Sequence, residues 1–379
     1  MSAKYALAGL VQPQPSASAR FTSAILRFVH FNRSEANNFT LSGILTLLVF
    51  EIRAMYVMGD YLYVLMGSKV YKIDTAWTKT LIGTIESTTQ NAWIVGDGTN
   101  LVVVDGAKGY SWNGSTFAEI SFPDSFVPSF LTFQDGYFIV SRSGTGRFYI
   151  SALNDPTSWN ALDYATGEGL HDNLVAIHNH QRDLWLLGTD SLEIWYNSGA
   201  STFPFERYIG GFLKIGCKAA RSVVSSGEGV FWLDNQFQVR IGLGIQSVNV
   251  STPQIEYQIA EMEKSCEIKD AVGFYYFQKG HGFYQLSIGD KTFVYDATTK
   301  FWHTRATGED NHRHPAQCYA FFNKKHLVGH YARGQILSLS YDTYTNNGEH
   351  FKAIRATQAV HAERKRIFHN QLEIELESG

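Results

Sequence analysis

Cysteine is scarce in this chain. Cys217, Cys266 and Cys318 stand far apart, and an odd set of three supplies no disulfide framework. A reducing site of synthesis is the simplest reading. Excess charge of one sign is also lacking. The formal net charge is −3, so no bulk attraction to nucleic acid or to an anionic membrane is expected. That argues against a dedicated DNA-binding domain and still allows contact with DNA along one local surface. Long hydrophobic runs are missing too. Residues 41–50 are apolar, but Glu51 and Arg53 close the run well short of the ~20 residues of a membrane span. A soluble chain without membrane insertion is expected. The N-terminus (Lys4, residues 6–11, then 16–19) imitates a signal peptide only faintly, because its apolar core is short and contains glycine. Proline is limited to 8 residues, whereas glycine reaches 33 and aromatics 14%, a balance that suits many short strands joined by tight turns.

What is present in place of these features is a repeat. A hairpin-like unit recurs about every 36–53 residues, with an apolar run, a turn and an aromatic-rich run ending on a small polar residue. The copies are residues 61–64 with 70–74, 101–104 with 110–113, 137–140 with 148–151, and 184–187 with 194–197. They continue as 230–233 with 239–242, 283–287 with 293–296, and 326–328 with 336–342. Glycine-containing turns such as Gly59-Asp60, Gly67-Ser68, Asp105-Gly106, Gly289-Asp290 and Arg333-Gly334 punctuate the copies. The period and the strand density predict an all-β fold, a β-propeller of about seven blades, with six to eight compatible with the pattern. A propeller serves enzymes, binders and virion parts alike, so the repeat defines a shape and leaves function open.

Three segments fall outside the repeat. Residues 1–50 read as an N-terminal arm, and 51–343 as the propeller. Residues 344–379 read as an incomplete C-terminal β extension, either docked on the propeller or opening a second domain. Between two copies, Thr252-Pro253 followed by Ile255, Ile259 and Met262 predicts a short inserted helix with an N-cap, a first-turn proline and one apolar face. It is read as a packing helix ahead of a partner-binding one.

The candidate sites are few. His303, His312, His314, Cys318, His326 and His330 include zinc-ligand types, but their spacing matches no compact zinc module. Ser143-Gly144-Thr145-Gly146-Arg147 resembles a phosphate loop but lacks the Gly-Lys-Ser/Thr ending, and a hairpin turn explains it better. Asp163, Glu168, Asp172, Asp190 and Glu193 fall near blade edges, where sequence cannot show the carboxylate separation that glycosidase chemistry needs. No nucleophile elbow, zincin helix, sialidase turn or WD40 pairing occurs. No enzyme, cofactor or metal is therefore expected. The one basic cluster, Arg364, Lys365 and Arg366 between His361 and His369, reads as a solvated face or as a contact to phosphate or an acidic partner.

Specific motifs begin at Phe133-Gln134-Asp135-Gly136-Tyr137-Phe138 and Arg147-Phe148-Tyr149-Ile150-Ser151-Ala152-Leu153. They continue at Glu193-Ile194-Trp195-Tyr196-Asn197-Ser198-Gly199, Phe203-Pro204-Phe205-Glu206-Arg207 and Cys318-Tyr319-Ala320-Phe321-Phe322-Asn323. From about Met55 onward these motifs resemble the packaged-DNA stabilisation proteins of short-tailed bacteriophages and prophages, also called tail accessory or tail nozzle proteins. Residues 1–50 do not resemble that family's usual beginning. The resemblance implies a structural virion-tail protein, made in the host bacterial cytoplasm, that forms a ring of six copies below the portal and adaptor. Such a ring would retain packaged double-stranded DNA without reading its sequence, and would provide the ejection channel. It carries no catalytic motif to transfer. Two other readings stay open: a tail-associated propeller hydrolase acting on glycans, and a stand-alone module binding glycan or protein.

Overall fold

The computed structural model describes residues 50–343 apart from 89, 90, 168 and 309, with residues 345 and 354. It also gives the backbone of five short terminal strands. Seven antiparallel sheets of four or five strands follow one another along the chain, and these are the seven blades of a propeller. Blade 1 runs through Ile52–Met58, Tyr61–Met66, Lys69–Ile73 and Lys79–Thr84. Blade 2 has Trp93–Gly96, Leu101–Val104, Gly109–Trp112 and Phe117–Ile120. Blade 3 comprises Pro128–Gln134, Tyr137–Arg142, Arg147–Ala152 and Asp155–Thr166. Leu174–His180, Asp183–Gly188, Leu192–Asn197 and Phe205–Leu213 build blade 4. Val224–Ser225, Val230–Leu233, Val239–Leu243 and Gln246–Asn249 build blade 5. Blade 6 spans Val272–Gln278, His281–Ile288, Lys291–Asp296 and Phe301–Thr307, with His312–Arg313 as a short fifth strand. Ala316–Phe322, Lys325–His330 and Ile336–Ser340 form blade 7.

Each of the seven sequence copies coincides with the second and third strands of a blade. These strands are buried on both faces: Leu101–Val104, Gly109–Trp112 and Val230–Leu233 are buried at every position. Alternate side chains of one such strand serve two different interfaces. Leu101 and Val103 pack toward blade 1, whereas Val102 and Val104 pack toward blade 3. Seven clusters of buried apolar residues result, one between each pair of neighbouring blades, and the cluster joining Ile52 and Leu62 to Phe322 and Leu327 closes the ring. Burying a large apolar side chain contributes about 1.5–3 kcal/mol, so each interface is a substantial core in its own right.

The inserted helix is Pro253–Met262. The Thr252 side chain accepts a hydrogen bond from Ile255 N, and Pro253 occupies the first turn. Its apolar face, Ile255 and Ile259, is buried in the cluster between blades 5 and 6. The expected packing helix is thus found, where the loop from the short outer strand Gln246–Asn249 crosses to the next blade.

Blade 7 takes its fourth strand from the other end of the chain. Glu35–Asn37 pairs antiparallel with Ile336–Ser340, Glu35 opposite Ser340. Joining the two ends of the ring within one sheet lets hydrogen bonds reinforce the closure. By contact grouping, residues 33–351 form one unit, and Met1–Asn32 with Lys352–Gly379 form another. Within the second unit, Ala3–Ala6 pairs with Glu373–Leu376 and Arg27–Phe28 with Arg355–Ala356. The expected division at 1–50, 51–343 and 344–379 differs from this grouping, because strands from both ends of the chain pair with each other. Among the described residues no helix is long and apolar enough to cross a membrane.

Candidate axial site

The innermost strands of the blades surround a cavity of about 280 Å³ on the propeller axis. Every blade contributes to its wall, through Arg53, Trp93, Thr132, His178, Arg221, Gly273 and Gln317 among others. Thr132 and His178 are each the fifth of seven residues in their innermost strand, whereas Arg53 and Gln317 are each the second, near the end where those strands begin.

Arginines dominate that end. Arg53 is buried (1% exposed) and donates from Nη1 to Gly67 O at 2.8 Å and Ser87 O at 2.9 Å, and from Nη2 to Ser87 Oγ at 2.9 Å. Arg221, in the turn Ala220–Ser222 that leads into blade 5, donates to Asn91 Oδ1 at 3.3 Å and to Arg53 O at 3.1 Å. Arg313 Nη2 donates to Gln317 Oε1 at 3.3 Å, and Gln317 Nε2 donates to Glu51 Oε2 at 3.3 Å. Burial lowers the proton affinity of all three guanidiniums. Arg313, which also feels the charge of Arg221, comes down to about 10. Across the wall, His178 Nε2 lies 2.6 Å from Ser225 Oγ, and burial pulls the imidazole down to about 4, so it is neutral at pH 7. The Cys318 thiol, pushed up to about 12 by burial, donates to Ile52 O at 3.6 Å. Neither group is poised for nucleophilic or acid–base work near neutrality.

The residues flagged in the sequence do not converge. His312 is exposed and meets Asp290 at 3.0 Å, His326 meets Tyr319 Oη at 2.9 Å, and His330 accepts from Ala332 N at 3.0 Å. His303 is half-buried and His314 buried, and desolvation holds both down to about 3. Among the described residues no three His, Cys, Asp or Glu side chains are grouped to hold a metal ion. The 143–147 segment is the hairpin turn between Tyr137–Arg142 and Arg147–Ala152, closed by Thr145 Oγ1 donating to Arg142 O at 2.9 Å. Buried Glu193 accepts from Trp195 Nε1 at 2.8 Å and Arg207 Nη1 at 3.2 Å. Asp172 accepts from Ser191 N at 3.0 Å and Asp190 N at 2.9 Å. These carboxylates tie strands and turns together. Glu168, together with Arg364, Lys365 and Arg366, lies outside the described residues. The axial arginines escaped the sequence reading because positions 53, 221 and 313 share no spacing.

A closed seven-bladed ring with a small basic cavity on its axis defines a β-propeller scaffold. The chain belongs to the phage stabilisation family described as Bacteriophage P22 Gp10, beta-propeller, whose profile matches residues 54–344. That is a family of structural phage proteins, and the expected resemblance is thereby shown. Curated proteins contain no match to the chain. Solved structures are similar to it at low identity. The extracellular domain of BT4673 from B. thetaiotaomicron is 8% identical, with a TM-score of 0.50 over 81% of this chain and 39% of that one. The computationally designed Ika8 protein is 10% identical, with a TM-score of 0.49 over 78% of this chain and 98% of that one. PorZ of the Porphyromonas gingivalis type-IX secretion system is 9% identical, at 0.47, with 84% and 39% covered. The chain spans 39% of the length of both BT4673 and PorZ.

Proposed function

We propose that this protein is a structural component of a phage tail, a ring-forming wall segment below the portal and adaptor that helps retain packaged DNA and frames its exit. The family match over residues 54–344 carries this reading. Rigidity supports it: seven separate inter-blade cores hold each blade between two neighbours, and a heterologous ring closes only when the rotation between subunits is fixed.

In this reading the DNA passage lies between subunits and not along the propeller axis. The axial cavity, about 280 Å³, is far too small for a duplex. The outer strands of blades 3 and 4 are the favoured subunit contacts. They are long, 12 and 9 residues, and expose Leu162, Tyr164, Tyr208 and Ile209 along their length. Long edge strands that expose apolar side chains invite pairing with another chain when left open, and proteins cover or blunt them. The ring would be a homohexamer, built without catalysis by the chain itself.

The test is co-assembly. Mixed with the portal–adaptor complex of its own phage, the protein is expected to add a ring at the distal end, visible by electron microscopy. Absence of that added density at saturating protein would overturn the proposal.

A further inference from the structure

We propose that the axial cavity binds a small oxyanion of the phosphate class, gripped by Arg221 and Arg313. This does not depend on the tail reading. Arg221 lines the cavity, and Arg313 reaches its wall through the Gln317 amide at 3.3 Å. Both guanidiniums are half-buried, and among the described residues neither has a carboxylate oxygen within ion-pairing distance. Arg221 spends its recorded hydrogen bonds on Asn91 Oδ1 and Arg53 O, both neutral acceptors. Arg313 Nε is buried with no hydrogen-bond partner among the described residues. Its guanidinium lies over the Tyr331 ring at 4.5 Å, which holds the planar fork in place.

Beside burial, the charge of Arg221 lowers the proton affinity of Arg313 and of Arg53. Among the described residues the carboxylates Glu51 and Asp290 act on Arg313, and Glu51 on Arg221, without an ion pair to either guanidinium. Glu51 acts through Gln317 at 3.3 Å, and Asp105 is occupied by the backbone N–H groups of Ser87, Ala107 and Lys108. Asp270 acts on Arg221 only at a distance. Withdrawing unpaired charges from water is unfavourable unless an opposite charge joins them. Guanidinium forks match the oxygens of a tetrahedral anion in geometry as well as in sign. The cavity has room for one such anion together with several waters.

The experiment titrates the full-length protein with inorganic phosphate at constant ionic strength, chloride replacing phosphate in the control. It reads heat by calorimetry and the thermal midpoint in parallel. One saturable site per chain is expected, with a midpoint that rises with phosphate beyond the chloride control, as ligand linkage requires. Arg221→Gln and Arg313→Gln are each expected to weaken phosphate at least tenfold, whereas Lys264→Gln, in the exposed turn after the helix, leaves it unchanged. Far-UV circular dichroism checks that each variant folds. Should Arg313→Gln fail to fold, Arg313→Lys keeps the charge, loses the fork and is still expected to weaken binding. Equal effects of phosphate and chloride, or wild-type affinity in the folded arginine variants, would overturn the proposal. So would binding of a short single-stranded oligonucleotide lacking terminal phosphate with no binding of inorganic phosphate, since that would point to a phosphodiester surface elsewhere.

Discussion

Replacing Phe231 with alanine tests whether the blades are held by their individual interfaces. Phe231 is fully buried in blade 5 and stacks on Tyr284 of blade 6, with ring centroids 4.8 Å apart and planes 14° apart. Tyr275 and Tyr295 flank it at 6.1 and 6.0 Å. Deleting a buried phenylalanine ring costs about 3–5 kcal/mol, because the transfer energy is lost and the cavity collapses only in part. At about 2 °C per kcal/mol for a large domain, the melting midpoint is expected to fall by roughly 6–10 °C. Phe231→Leu keeps most of the volume and is expected to cost under about 1.5 kcal/mol. A double-mutant cycle with Tyr284→Leu isolates the stacking term, expected at about 0.5–1.5 kcal/mol beyond area. The assay is urea unfolding followed by tryptophan fluorescence, backed by differential scanning calorimetry. A loss below about 1 kcal/mol for Phe231→Ala would refute the reasoning, since the interface would then not depend on its central ring.

Other outcomes follow from the same structure. Gly242→Ala would place a Cβ 2.2 Å from Trp185 Cη2 between blades 4 and 5, so a loss of about 1–3 kcal/mol is expected in thermal melts. Acid should destabilise the fold. His178 and His330 are pulled down to about 4, and His303 and His314 to about 3, each by burial. Their folded affinities lie below the unfolded value near 6.5, so the unfolded chain takes up protons first. The stability they contribute is full above pH 6.5 and is lost as pH falls toward 4 and 3, by up to about 1.4 kcal/mol per pH unit for each. A urea midpoint at pH 5 equal to or above that at pH 7 would contradict this. At the exposed outer strand of blade 4, Ile209→Asp is expected to leave the melting midpoint within about 0.5 kcal/mol of wild type while weakening self-assembly in sedimentation velocity.

The parts of the fold legible in the sequence are those buried on both faces. The second and third strands of every blade are short apolar runs bounded by turns, and their seven-fold recurrence gave the architecture. The outer strands were not legible. Asp155–Thr166 and Phe205–Leu213 are mixed and largely exposed, and no burial pattern marks them. Two hairpins were hidden by their turn residues. Gln181-Arg182 and Asn323-Lys324 adopt positive φ at both positions without glycine, a conformation that composition does not announce. The strand Glu35–Asn37 could not be read because its partner lies some 300 residues away, a pairing that only ring closure explains. The axial arginines come from the innermost strand of blade 1, the turn leading into blade 5 and the short fifth strand of blade 6, places that only the closed ring brings together. The histidines failed as a cluster because His312 sits on a short exposed edge strand, while His314, just beyond that strand, is buried in the core.

The central claim is that this propeller is a ring-forming building block of a phage tail, and the symmetry of the purified particle tests it most directly. Single-particle electron microscopy of the protein with its portal–adaptor neighbours is expected to show a closed six-fold ring with the propellers in its wall. A protein that stays monomeric under those conditions, adding no ring density, would contradict it.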